Sequence, residues 1–193
     1  MTSNQDLIAS IRAHIMNTDG NWGTSKFRQG TLTSPVVALH FVAHTNEGNV
    51  GGEKGAPPTN HWTLFLELDD HRSSVRVEVA PNDPGQPGMV FLENKRYAFT
   101  VNTSHKVSAQ APSGTTVASV LKVIIDRGRD RYIFQPIGEG CRFWLFTLAS
   151  DLAEVGILPA AAEAEVKAAI PFYWPDGASG TPVERPMVAG TFF

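Results

Sequence analysis

One cysteine, Cys141, is all the thiol in this 193-residue chain, so an internal disulfide is excluded and nothing calls for an oxidising compartment. Charge is scarce as well. It makes up 18% of residues and is nearly balanced, 16 Lys and Arg against 19 Asp and Glu, for a net charge of −3. That balance argues against nucleic acid or an anionic membrane as a partner. The tightest basic group, Arg127, Arg129 and Arg131, is interrupted by Gly128 and Asp130 and reads as a solvated helix-end turn. No apolar run approaches the ~20 residues that span a bilayer, and the polar start, Met1 to Gln5, lacks the apolar core of a signal peptide. A soluble cytoplasmic protein is the expectation. Gly-x-Gly-x-x-Gly and Walker-type loops are also missing, so nucleotide cofactors have no support and no cofactor is expected.

What is present suffices for one globular domain, since 42% of the residues are hydrophobic. Residues 1–193 read as a single domain with a lead-in (1–34), an α+β core (35–170) and an irregular tail (171–193). Leu7, Ile8, Ile11 and Ile15 give residues 5–17 a helical stripe, and 18–34 read as an irregular connection. Residues 35–44 are apolar and β-branched and predict a buried strand. Residues 45–59, with four glycines and two prolines, predict a mobile surface loop that enters His61 and is a candidate lid. Strands are predicted over 61–68 and 73–80, joined by a turn at 69–72, then over 89–92 and 96–103 with a continuation through Val107. A helix follows from the hydroxyl-rich 113–116 to Gly128, then a short strand at 131–134, a helix over 141–155 closed by Gly156, and an alanine-rich helix over 160–170. The fold class is therefore α+β, an antiparallel sheet flanked by helices.

The chemistry centres on Cys141. It follows Gly138-Glu139-Gly140 and heads an apolar helix, where the partial positive charge of the helix N-terminus lowers a thiol pKa. The bland alternative is a small buried hydrophobe. Gln135, six residues upstream, is a candidate oxyanion donor beside the Cys141 N–H. His61, in Asn60-His61-Trp62, is the candidate base. Strand alternation puts His61, Thr63, Phe65 and Glu67 on one face and Trp62, Leu64, Leu66 and Leu68 on the other, better core face. Glu78, or else Asn60, would orient the imidazole. His44, at the mouth of the candidate lid, and Asn60 are candidate substrate-binding pocket residues, and Trp62, Trp144 and Trp174 are candidate walls. His40 and His44 would stand ~13 Å apart along a strand, so no metal site is expected. His14, His71 and His105 read as surface residues.

The Gln135…Cys141 spacing resembles the glutamine–cysteine segment of papain-like enzymes. With the histidine strand placed first, the order is similar to circularly permuted papain-like families, among them the lecithin:retinol acyltransferase-like proteins and the PPPDE peptidases. His61-Trp62-Thr63-Leu64-Phe65-Leu66 and Gly140-Cys141-Arg142-Phe143-Trp144 follow their outline. The resemblance implies a permuted papain-like arrangement with Cys141 as nucleophile and His61 as base. Two departures stand out: Gly140 occupies the usual asparagine position, and Arg76 and Glu78 stand where the acyltransferase-like group has a second histidine. Most of the chain also resembles a family of uncharacterised fungal proteins with Asn-His-Trp and Gly-Cys-Arg-Phe-Trp motifs, a domain of unknown function.

These residues predict a small intracellular thiol enzyme, a hydrolase or acyltransferase acting on an ester, thioester or amide of a small-molecule, acyl or peptide substrate. Two alternatives compete. One is a non-covalent cyclase or isomerase for a hydrophobic small molecule of fungal secondary metabolism, and the other is a non-catalytic binding module.

Overall fold

The computed structural model describes residues 4–17, 20–45, 58–82, 86–136, 138–175 and 180–193. Helix α1 (Asn4–Ile15) leads into strand β1 (Trp22–Lys26), a 3-10 turn (Gln29–Thr33) and strands β2 (Val36–His44), β3 (Trp62–Leu68), β4 (Ser74–Ala80), β5 (Met89–Lys95) and β6 (Thr103–Gln110). Then come helix α2 (Val117–Asp126), strand β7 (Tyr132–Ile133), helices α3 (Cys141–Glu154) and α4 (Ala160–Ala169), and the two-residue strands β8 (Phe172–Tyr173), β9 (Val183–Glu184) and β10 (Thr191–Phe192). Six strands make one sheet in the order β1-β5-β4-β3-β2-β6. All its pairings are antiparallel except that of β1 with β5. The architecture is α+β.

The sheet has two unlike faces, and the strand alternation sets both. On one, register aligns Ala43 with Trp62, Phe41 with Leu64 and Leu64 with Val77. These five side chains are fully buried, and α3 packs over them. Removing such large apolar groups from water supplies roughly 1.5–3 kcal/mol per side chain. The core continues from Ile11 and Ile15 of α1 to Val166 of α4. On the opposite face, one cross-strand row reads Lys26, Glu93, Arg76, Phe65, His40 and Ser108, one residue from each strand.

Segment 96–102 crosses this polar face rather than forming the strand expected over 96–103. The sheet order requires it, because β5 lies near one edge and β6 pairs with β2 at the other. The Tyr97 ring lies 6.2 Å from Phe65 and the Phe99 ring 4.9 Å from His40. Ser74 Oγ donates to the Tyr97 carbonyl at 2.7 Å, and the Lys106 ammonium stands 3.6 Å over Phe99. Phe65 is thereby fully buried on a face that otherwise carries charge.

Strand β1 falls in the stretch expected to be irregular, and packing explains the misleading composition. A Cβ on Gly23 would stand 2.3 Å from the ring of Phe91 on β5, so a glycine is required at a strand position. Trp22 anchors the same strand, its Nε1–H donating to Asp130 Oδ2 at 3.0 Å. His14, expected at the surface, bonds the same carboxylate at 2.7 Å. The expected irregular tail contains two short pairings, β8 with β9 and β10 with β7. Of the candidate lid, residues 46–57 lie outside the described residues. Gly23→Ala should lower stability by about 1–3 kcal/mol through overpacking against Phe91. Urea denaturation checks this, and an unchanged midpoint would contradict the packing account.

Candidate active site

The site forms where the first turn of α3 meets the first residues of β3. Gly140 precedes α3 with φ +154°, a backbone geometry open to glycine alone. A Cβ there would lie 2.8 Å from the Tyr132 hydroxyl and 2.9 Å from the Phe134 ring. This is the physical reason for glycine at position 140. The Gly140 carbonyl accepts from Trp144 N–H at 3.0 Å and from the buried Tyr132 hydroxyl at 2.9 Å. The helix start is thus fixed from inside, and Cys141 stands on its first turn, half-buried.

The Cys141 sulfur lies beside the His61 ring and the Trp62 backbone N–H. Burial pushes the thiol pKa up, but the interactions with His61, with the Trp62 N–H and with the Arg142 guanidinium outweigh it and hold the pKa below its ordinary value. His61 Nε2 bonds Glu78 Oε2 at 3.0 Å, which leaves Nδ1 to the sulfur. Burial pulls the imidazole pKa down, yet the bonds to Cys141 and Glu78 raise it from 6.5 to about 10. For Glu78, burial acts upward and is overcome by His61 and Arg76, so the carboxyl stays below its ordinary value. The arrangement sets a thiol of lowered pKa beside an imidazole of raised pKa, with a carboxylate on the imidazole's far nitrogen.

A cleft of about 170 Å³ opens over the pair, lined by His61, Cys141, Asn60, Glu139, Arg142 and Val188 among others. The tail forms its rim. Arg142, itself buried, donates from Nη1 to the Arg185 carbonyl at 2.9 Å and from Nη2 to the Pro186 carbonyl at 3.0 Å. Tyr132 O accepts from Gly190 N–H at 2.9 Å. Arg142, Glu139 and Val188 were not among the expected site residues. Arg142 directly follows Cys141, but its partners lie more than forty residues downstream, where no local pattern announces them.

The structure brings together Cys141, His61 and Glu78, keeps Asn60 in the cleft lining and His44 beside the pair, and places Gln135, Trp62 and Trp144 elsewhere. Gln135 does not line the cleft. Its amide donates to the Ala189 carbonyl at 2.6 Å and so braces the tail. Trp62 and Trp144 are not cleft walls, because both indoles are fully buried, and Trp62 reaches the site only through its backbone N–H. Asn60 does not orient the imidazole. It clamps the tail, accepting from Trp174 N–H at 2.7 Å and donating to the Trp174 carbonyl at 2.9 Å. Trp174 in turn stacks on His105, with ring centroids 3.5 Å apart, so His105 is no simple surface residue. His44 lies beside the pair, its ring 5.7 Å from that of His61 and its Nε2 2.7 Å from Thr63 Oγ1. Burial first, then the positive charge of His61, lowers the His44 pKa to about 4, so it is neutral at pH 7. Among the described residues there is no cluster of three or more His, Cys, Asp or Glu able to hold a metal ion, and no helix long and apolar enough to cross a membrane.

Residues 39–193 match the family model described as a domain of unknown function, DUF7770, and the chain belongs to that family. No curated protein and no solved structure matches the chain.

The pair makes stability depend on pH in a defined way. The raised His61 pKa contributes stability that is complete below 6.5 and lost as pH rises through about 10. The lowered Glu78 pKa contributes stability that is complete above 4.5 and lost as pH falls through the folded value. The drop in Tm caused by Glu78→Gln should therefore be largest between about pH 4.5 and 6.5 and shrink toward pH 10. Thermal melts across that range check it, and a drop independent of pH would contradict the pairing.

Proposed function

We propose that this member of the DUF7770 family is a small intracellular thiol-dependent hydrolase or acyltransferase that acts on an ester, thioester or amide. The observation that carries the reading is that Cys141 and His61 line one cleft side by side while His61 is hydrogen-bonded on its far nitrogen to Glu78. A permuted papain-like arrangement belongs to the same proposal. It is supported by the histidine on the strand preceding the cysteine helix, and by the packing of that helix start on that strand.

In the proposed reaction the Cys141 thiolate attacks the carbonyl carbon. A sulfur–carbon bond forms and the carbonyl π electrons move onto oxygen. The N–H of Cys141 itself belongs to the first turn of α3, where intrahelical carbonyls are lacking, and is available to the oxyanion. This replaces the role expected of the Gln135 amide, which is bonded to Ala189. Collapse of the intermediate breaks the bond to the leaving group, which takes the proton from His61 Nδ1. Water, or an acceptor nucleophile in a transferase, then gives its proton to His61 and attacks the thioester. Release of the acyl group restores the thiolate. Glu78 holds the imidazole in position and stabilises its charged form, the part an orienting carboxylate plays.

Iodoacetamide should alkylate Cys141 with a half-maximal rate at a pH below the ~8.5 of an ordinary thiol. Incubation with p-nitrophenyl acetate should leave an acyl adduct on Cys141, detectable by intact mass. Cys141→Ala and His61→Ala should each lower ester hydrolysis by about 10³-fold or more. Full turnover in Cys141→Ser, with loss in His61→Ala, would overturn the covalent reading in favour of a non-covalent cyclase or isomerase.

A further inference from the structure

The His61–Glu78 pair does not end at Glu78. On the polar sheet face, charges of alternating sign run from the site toward the β1 edge. His61, just before β3, bonds Glu78 on β4, Glu78 pairs with Arg76 on the same strand, Arg76 faces Glu93 on β5, and Glu93 pairs with Lys95. Arg76 Nη2 serves two carboxylates at once. It bonds Glu78 Oε1, the oxygen that His61 does not use, and stands 3.4 Å from Glu93 Oε2. Glu93 is itself held at 2.7 Å by Lys95. Glu78 thus has one oxygen committed to each neighbour and cannot turn without breaking one of the two bonds.

Arg76 pays for this placement. Its Nε–H is buried with no hydrogen-bond partner among the described residues, and an unmade bond of this kind is destabilising. A residue kept only for packing between Phe65 and Glu93, its cross-strand neighbours, needs no guanidinium. We propose that Arg76 is a positioning residue of the catalytic pair, holding the Glu78 carboxylate on His61 from the far side, with Glu93 as its anchor. The inference rests on the thiolate–imidazolium reading of the site and adds the device that keeps its third member in place.

The charged and titratable groups around Glu78 are His61 from the residue before β3, His44 from β2, Arg76 from its own strand, Glu93 and Lys95 from β5, and Cys141 from α3. Lys26 of β1 lies beyond Glu93, at 3.7 Å from it. They allow a test by sign. As a through-space positive charge alone, Arg76 would disfavour the imidazolium, so its removal would raise the His61 pKa. As a positioning residue it secures the Glu78 bond, so its removal lowers the His61 pKa.

The experiment is the imidazole ¹⁵N titration of His61 by NMR in the full chain, with the resonance assigned by its loss in His61→Gln. Arg76→Met should move the His61 midpoint down by about one pH unit or more, and Arg76→Lys should restore at least half of that shift by returning a cation to Glu78. Arg76→Gln, expected to behave like Arg76→Met, keeps the test decisive if the methionine variant fails to fold by circular dichroism. An unmoved or raised midpoint overturns the inference. The titration does not depend on thiol reactivity. A wild-type Cys141 that alkylates like an ordinary thiol would therefore count against the proposed function alone, and a reactive Cys141 with an unmoved His61 against Arg76 alone.

Discussion

The site depends on one junction, the seating of the first turn of α3 against the first residue of β3. There the Trp62 backbone N–H meets the Cys141 sulfur, and the side chains on either side of that bond are locked by burial. Trp62 and Trp144 are both fully buried, one on the strand and one on the helix, and Trp144 Nε1–H donates to the Arg129 carbonyl at 2.6 Å. Tyr132 closes the junction from beneath by bonding the Gly140 carbonyl. A rigid frame matters because a thiol and an imidazole act on each other only while their separation is held. Here that separation is set by core packing rather than by a surface loop.

The two faces of the sheet divide the labour. The apolar face binds the helices and supplies the stability. The opposite face would be costly to cover were its charges unpaired, yet segment 96–102 lies across it and buries Phe65. Pairing resolves the conflict. His40 bonds Glu67 and Ser108, both at 2.8 Å, and Arg76 pairs with both Glu78 and Glu93. His61 is the end of this paired face that reaches the cleft. Its neighbour His44 is held neutral, so the pair has a polar neighbour without a competing positive charge. The tail completes the arrangement, tied through its carbonyls to Arg142 and Gln135, so the cleft rim follows the main chain of the tail.

Much of this was legible in the chain. The alternation of Val75, Val77 and Val79 with Arg76 and Glu78 placed Glu78 on the face of His61, and the hairpin register did the rest. The helix of Cys141 announced itself by its apolar run and by Gly156, whose φ is +76° in the position after the helix. Other features were hidden for definable reasons. Strand β1 looked like a loop because Gly23 answers to the Phe91 ring, a contact set by a strand nearly seventy residues away. The segment at 96–102 looked like a strand because Tyr97 and Phe99 are good strand residues, but they pack on a face instead of joining an edge. Trp62 and Trp144 looked like pocket walls because a sequence does not say which aromatic rings the core will take.

By itself the sequence determined the periodicities, the single thiol at a helix start and the histidine at a strand start, because these are local properties of neighbouring residues. Only the tertiary structure decided that the thiol and the imidazole meet, that Glu78 rather than Asn60 takes the far nitrogen, and that Gln135 braces the tail instead of lining the cleft. Those outcomes depend on sheet order and on helix seating, which are settled by the burial of the whole core at once. A residue's neighbours along the chain carry no record of that sum.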